Sequence, residues 1–282
     1  MECYLCENKD YELLHRGTRD NENIDVLRCK NCGLVFLSSF EHVHNAFYES
    51  SGMFGDKKVN LREIRESTLE DDLRRANMLK NLITEKEILD FGCGYGGFID
   101  NARLYANNVY GIEIENSARQ ELELQGYKVW KSIDECNQKF DIITLFHVLE
   151  HLEYPVEYLQ NLSRLLKDNQ SEIIIEIPNS QDALLSYFQT AAFADFTYWS
   201  PHLFLYNSEN IRLLMKKAGL KINWIKQIQR YSLGNHLYWL ANGKPGGHKK
   251  WNLFNDKDLN ERYENILSEN NMCDTILLSI SI

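Results

Sequence analysis

The run Glu87-Ile88-Leu89-Asp90-Phe91-Gly92-Cys93-Gly94-Tyr95-Gly96-Gly97-Phe98 decides the fold. It reads as a short, mostly apolar strand, then a glycine-rich turn, then the start of a helix. Glycine lets a backbone approach a ligand closely, and a helix N-terminus offers N–H groups with no partner inside the helix. A Gly-x-Gly-x-Gly turn alone is shared by several kinds of nucleotide-binding loop, so its surroundings must discriminate. Roughly twenty residues on, Val109-Tyr110-Gly111-Ile112-Glu113 reads as a second strand ending in an acidic residue placed to accept hydrogen bonds from ribose hydroxyls. Together the two features imply a cofactor that contains a nucleoside.

Working outward, Tyr127 to Trp130 gives a third strand, Phe140 to Phe146 a fourth, residues 154 to 167 a helix, and Ser171 to Ile177 a fifth strand rich in isoleucine. Ile211, Leu213, Leu214, Met215 and Ala218 form an amphipathic helix that ends at Gly219. Leu220 to Ile228 is then the sixth strand, and Cys273 to Ile280 is a β-rich terminus. Upstream, Leu61, Ile64, Leu69, Leu73, Ala76 and Leu79 recur at roughly helical spacing among many charges, as in an amphipathic helix packed on the next unit.

The segments L-D-F-G-C-G-Y-G-G, G-I-E and F-D-I-I-T-L-F-H-V-L-E-H-L-E-Y-P, taken in that order, resemble the class I S-adenosylmethionine-dependent methyltransferases, over residues 81 to 229 and the terminal strand. The resemblance implies a Rossmann-like α/β fold with a seven-stranded sheet whose last strand is antiparallel, and S-adenosyl-L-methionine as cofactor. Carried over position by position, it places Asp90, Gly92, Cys93 and Gly94 around the methionine moiety and Glu113 on the ribose. Ser132 and Ile133 would line the adenine, with Phe146 and His147 beside the sulfonium. The rival is a dinucleotide-binding oxidoreductase, a family that keeps the wider Gly-x-Gly-x-x-Gly spacing. Cys93 reads as a small residue in a crowded turn rather than a nucleophile, because no basic residue adjoins it.

Cys3-Tyr4-Leu5-Cys6 and Cys29-Lys30-Asn31-Cys32-Gly33 form a CxxC…CxxC pattern with the spacing of a four-thiolate zinc site. A redox pair would need one CxxC to open a helix, whereas both sit in short, turn-rich sequence. Cys3, Cys6, Cys29 and Cys32 are therefore expected to hold one structural Zn²⁺, which lets a small ribbon fold without a large core. The chain divides into a zinc ribbon (1–45), a helical connector (46–80), the cofactor-binding core (81–229), a lid or acceptor insertion (230–272) and the last core strand (273–282).

Methyl transfer from a sulfonium is an in-line displacement, so a protein must align the acceptor and, for a hydroxyl, receive a proton. The candidates are His147, Glu150 and His151 after the fourth strand, His202, and His236 in the insertion. Trp199-Ser200-Pro201-His202-Leu203-Phe204-Leu205-Tyr206 resembles the segment of zinc-containing deoxysugar C-methyltransferases that carries a Tyr-x-Glu-His run with the histidine as base. Pro201 and Trp199 replace the glutamate and tyrosine, which points away from carbon methylation. His147-x-x-Glu150-His151 is also similar to the metal-binding E-x-x-E-H of some O-methyltransferases, with histidine in place of the first glutamate; the alternative is a loop that caps the strand. The insertion is rich in aromatics and histidine (Tyr231, Asn235, His236, Tyr238, Trp239, His248), which either bind the acceptor or fill the space beneath a lid.

Composition bounds the partners. The chain has 282 residues, 44% of them hydrophobic, and a formal net charge of −10, which disfavours nucleic acid. No run approaches the roughly 18 apolar residues of a membrane span, and no basic, apolar leader opens the chain, so a cytoplasmic protein acting on a small molecule is expected. The resemblance to the deoxysugar enzymes suggests a sugar nucleotide or another activated surface-glycan (capsule or polysaccharide) precursor, methylated on O or N. Ribosomal RNA methylation is a rival that needs a basic ribbon, and acidic residues outnumber Lys and Arg there. A silent cofactor-binding interaction module is the other.

Overall fold

The computed structural model describes residues 2–43, 45–49 and 61–282, so the stretch 50–60 of the expected connector lies outside the described residues. Strands β1 (Tyr11–His15), β2 (Val26–Cys29) and β3 (Val35–Leu37) form an antiparallel meander at the N-terminal end. Helices α1 (Asn45–Glu49) and α2 (Leu61–Ile83) follow. The main sheet is then built by β4 (Glu87–Phe91), β5 (Asn108–Ile112), β6 (Val129–Trp130), β7 (Ile142–Phe146) and β8 (Glu172–Pro178). Between these strands run α3 (Gly97–Ala102), α4 (Asn116–Leu124) and α5 (Pro155–Ser163). After β8 come α6 (Ala183–Ser186), α7 (Ala191–Thr197), the two-residue strand β9 (Phe204–Leu205) and α8 (Asn210–Ala218). Strand β10 (Lys221–Ile228) leads into α9 (Leu233–Asn242), α10 (Gly247–Lys250) and α11 (Lys257–Glu269), and β11 (Thr275–Ser281) ends the chain.

The main sheet has the order β10-β11-β8-β7-β4-β5-β6. Strands β4 to β8 are parallel, and β11 runs antiparallel to both of its neighbours, β8 and β10, as the seven-stranded expectation requires. Period-two alternation explains the two cores. In β8, Ile173, Ile175 and Ile177 pack on one face with Leu159 and Leu162 of α5 and Leu214 and Met215 of α8. Ile174 points to the other face, among Ala76, Leu79 and Ile83 of α2 and Phe98 and Ala102 of α3. All four isoleucines are fully buried. Truncating any one to Ala would cost about 2–5 kcal/mol in lost transfer energy and cavity.

Several boundaries differ from the sequence reading. The helix expected over 154–167 stops at Ser163, and the third strand shrinks to Val129–Trp130 because it lies at the sheet edge with one neighbour. The insertion over 230–272 is mainly helical. α8 does end at Gly219, whose φ of 75° is left-handed backbone that favours glycine. The N-terminal sheet holds a surprise: its fourth strand is β9, with Val35 paired to Leu205 and Phe36 to Phe204. The ribbon core therefore runs continuously into one face of the main core. Among the described residues, no helix is long and apolar enough to cross a membrane.

Candidate functional site

The C-terminal ends of the parallel strands converge at one edge of the sheet, where open α/β folds bind ligands. At the end of β4, Gly92 has a φ of 72°, and a Cβ there would lie 2.5 Å from Val148 Cγ2. Glycine is also needed at Gly97, where a Cβ would lie 2.0 Å from Asp72 Oδ2. Helix α2 thus lies directly over the turn, and its Arg65 donates to the Tyr95 carbonyl at 2.9 Å. Asp90 accepts a 2.7 Å hydrogen bond from Thr144 Oγ1, and burial pushes its carboxyl up to about 7. Glu113 stands at the end of β5 and accepts from the Gly94 amide at 2.6 Å and the Glu115 amide at 2.8 Å. Burial raises its pKa, against those two amide bonds. Cys93 is buried against Gly111, and burial drives its thiol well above the ordinary value, so it is not a nucleophile in waiting. Ser132 and Ile133 follow β6 at the same edge.

His147 caps β7 with a φ of 55°, unusual for a residue with a Cβ. Its Nδ1 lies 3.2 Å from Glu150 Oε1 and its Nε2 3.4 Å from Glu176 Oε1. Burial opposes the imidazolium, but the two carboxylates outweigh it and raise the pKa. Phe146 packs edge-on against Phe98 with centroids 4.8 Å apart and lies under the Arg75 guanidinium, also at 4.8 Å.

Glu150, His151 and His202 come together. A carboxylate oxygen and one nitrogen from each ring lie within 4.8 Å of one another, although His202 is some fifty positions away in the chain. His151 Nδ1 donates to the Pro201 carbonyl at 2.9 Å, which leaves its Nε2 lone pair free. Glu150 Oε2 and His202 Nδ1 are buried without a partner. Burial holds His202 down to about 3 and lowers His151, while Glu150 overcomes burial through His147 and its other histidine neighbours and falls to about 2. At neutral pH the trio is one carboxylate and two neutral imidazoles. That is the protonation state of a metal-ligand set. His236, on α9, is not part of it: its Nδ1 meets Tyr263 Oη at 2.7 Å and its Nε2 meets Gln229 at 3.1 Å.

The four ribbon cysteines also cluster, with all four sulfurs within 4.8 Å of one another and the Cys3–Cys32 and Cys6–Cys29 pairs each 3.5 Å apart. Four thiols facing one point, on two knuckles, are a fitting donor set for a tetrahedral cation.

The sequence reading missed a buried ion network. Glu176 is fully buried and accepts from Arg74 Nη2 and Arg75 Nε, each at 2.9 Å, and from Arg75 Nη2 at 2.7 Å. Arg230 Nη1 lies 3.1 Å from His147 Nε2, and its guanidinium pairs with Asp71. The visible signal was a lone charge in the run Ile-Ile-Ile-Glu-Ile-Pro.

A family model for the methyltransferase domain matches residues 61–223, more than half of the chain. The chain belongs to the methyltransferase domain family. Its core is a class I, S-adenosylmethionine-dependent methyltransferase domain, an enzyme domain. A ubiquinone biosynthesis O-methyltransferase of Rickettsia bellii is 25% identical over 158 residues, 53% of this chain and 64% of that relative, so the match spans a little under two thirds of the relative's length. Its counterpart in Rickettsia typhi is 25% identical over 234 residues, 79% and 89% of the two chains. A chain from the complex between the Haloferax volcanii Trm112 methyltransferase activator and a methyltransferase shares the fold, with a TM-score of 0.53, 12% identity, and 84% and 96% coverage. This methyltransferase domain carries the glycine turn, Glu113 and His147 at the edge where the family match and the strand ends coincide.

Proposed function

We propose that the chain transfers the methyl group of S-adenosyl-L-methionine to a hydroxyl of a small-molecule acceptor, most simply a phenolic or enolic one. The convergence of Glu150, His151 and His202, with two buried polar atoms left unpartnered, is the observation that carries it. Asp90, Gly92, Cys93, Gly94 and Glu113 would hold the cofactor, with Ser132 and Ile133 along its adenine and Phe146 and His147 beside the methyl. Cys3, Cys6, Cys29 and Cys32 would hold a structural zinc. The domain boundaries drawn above at 45, 80, 229 and 272 belong to the same proposal.

The acceptor oxygen attacks the methyl carbon, and the breaking S–C bond leaves its electrons on sulfur, giving neutral S-adenosylhomocysteine. His202 was expected to take the proton, but at about 3 its imidazolium is strongly disfavoured, so His151 Nε2 is the better acceptor and His202 orients the hydroxyl. A divalent cation on the trio would instead occupy the His151 Nε2 lone pair and acidify the hydroxyl directly, taking the place of that base.

Surface-glycan precursors, expected from the Trp199–Tyr206 segment, give way here. The curated relatives named above are O-methyltransferases of ubiquinone biosynthesis. Labelled methyl transfer to 3,4-dihydroxybenzoate compared with uridine diphosphate sugars tests the reading: product from the sugars but not the catechol would reject it.

A further inference from the structure

We propose that the ribbon is the frame of the loop that carries His202, and that Asp20 is a positioning residue for that loop. The proposal rests on the reading that Glu150, His151 and His202 form the acceptor side of the site. The loop Tyr198–Tyr206 is held from two directions. On the core side, the Leu203 amide donates to the Glu150 carbonyl at 2.9 Å and His151 Nδ1 donates to Pro201. The ribbon supplies the rest. Asp20 Oδ1 accepts from the Ser200 amide at 3.0 Å and Oδ2 from Ser200 Oγ at 2.7 Å. The Arg19 amide donates to the Tyr198 carbonyl at 2.7 Å, and the Leu37 amide to the Leu203 carbonyl at 3.2 Å. His42 Nε2 donates to the Ser200 carbonyl at 2.7 Å.

Strand β9 begins two residues after His202 and, among the described residues, pairs only with β3, so the backbone next to the imidazole is a ribbon strand. Above the loop, the Arg19 guanidinium stacks 4.7 Å from the Trp199 ring, and Trp199 packs against His202 with centroids 5.4 Å apart. Two residues off His202, Ser200 is nearly fully buried and spends both its donors on one carboxylate. Burial opposes the charge on that carboxyl, but Ser200's donors outweigh it and hold the group below its usual range, so it is charged at neutral pH and both bonds are charge-assisted. A ribbon that served only to cover an apolar face would need none of these polar ties. Because β2 and the second cysteine knuckle are contiguous, whatever closes the four thiols also tensions β3 and hence the loop.

Native-state hydrogen exchange on the full chain decides the matter, comparing Asp20→Ala with Asp20→Asn. Asn keeps an oxygen for the Ser200 amide and can donate to Ser200 Oγ, so it should rescue. In Asp20→Ala the amides of Ser200, His202 and Leu203 should exchange about tenfold faster or more, the effect of losing two charge-assisted bonds. The glycine turn over 92–97 should keep wild-type protection, and calorimetry should give unchanged S-adenosylmethionine affinity. Methyl transfer to 3,4-dihydroxybenzoate should lose kcat rather than affinity for the cofactor. Stripping zinc from the zinc-loaded protein with a chelator should deprotect residues 198–206 before 92–97. Wild-type protection of the loop in Asp20→Ala, or equal acceleration in loop and glycine turn, overturns the proposal. If the wild type fails to methylate the catechol, the function reading fails while the exchange result still decides this one.

Discussion

Replacing Glu176 by alanine should cost about 3–5 kcal/mol of folding stability, the penalty for stripping one partner from a buried ion pair. The carboxylate is fully buried and faces two guanidinium groups, with Arg74 Nη2 2.9 Å from each oxygen, and His147 Nε2 3.4 Å away. Without it, Arg75 keeps Asp72 and Arg74 keeps Asp71, but their charges and His147 lose their common buried anion. Glu176→Gln, which preserves the volume, should cost less, about 1.5–3 kcal/mol, as expected for lost hydrogen bonds to a charged group. The Arg and His neighbours overcome burial and hold the folded pKa well below the ordinary value. A depressed pKa stabilises fully above the unfolded value near 4.3, and the stabilisation is lost as pH falls through the folded one. The gap between wild type and Glu176→Gln should therefore be constant from about pH 5 to 6, on the order of the cost above, shrink somewhat above about pH 6.5 as His147, whose pKa Glu176 helps to raise, loses its proton, and narrow below about pH 4. Urea unfolding followed by tryptophan fluorescence measures both. A penalty below about 1 kcal/mol for Ala at pH 7, or a Gln gap that stays constant down to pH 3, would refute the assignment of Glu176 as the anion that joins α2 to β8.

Glu113→Ala removes the acceptor of the Gly94 and Glu115 amides as well as the expected ribose contact, and should weaken S-adenosylmethionine by about 1–3 kcal/mol in calorimetry; unchanged affinity would place the ribose elsewhere. Purified protein should carry one zinc by elemental analysis, lost in Cys29→Ser and retained in Cys93→Ser, and equal zinc in both variants would rule out the ribbon site. Glu150→Ala should abolish Mn²⁺ binding seen by paramagnetic resonance without changing zinc content, and full Mn²⁺ binding would leave the trio as hydrogen-bonding groups. His202→Asn should keep cofactor affinity but lower turnover by about 10²-fold or more, and near-normal turnover at saturating acceptor would remove it from the site.

What could be read in the sequence was whatever has a local signature. A glycine turn, an acidic strand end, paired CxxC knuckles and period-two isoleucines each depend on residues within a few positions, so Gly92, Glu113, Cys3 and β8 were legible from the order of residues alone. His202 was legible by resemblance, and its two partners by the His147-x-x-Glu150-His151 run, but nothing local said that the two segments meet. His236 drew attention for the same reason as His202, a histidine among aromatics, yet its one lone pair accepts from Gln229 and its N–H is given to Tyr263, which no spacing reveals.

The ribbon's fourth strand shows the limit most clearly. Phe204–Leu205 is too short to carry an alternation, and its pairing with Val35 and Phe36 spans most of the chain. Such a pairing is chosen by what the rest of the fold brings near, since closing so long a loop costs only slightly more than closing a shorter one. The same holds for Arg74 and Arg75. In α2 they look like solvated charges on an amphipathic helix, and only the arrival of Glu176 from β8, together with Asp71 pairing to Arg230 from the start of the insertion, turns that face inward. Three segments that the sequence presents as a connector, a core strand and the edge of a lid thus share one set of buried charges beside His147. The residue that caps β7 is thereby fixed by parts of the chain with no local reason to be there.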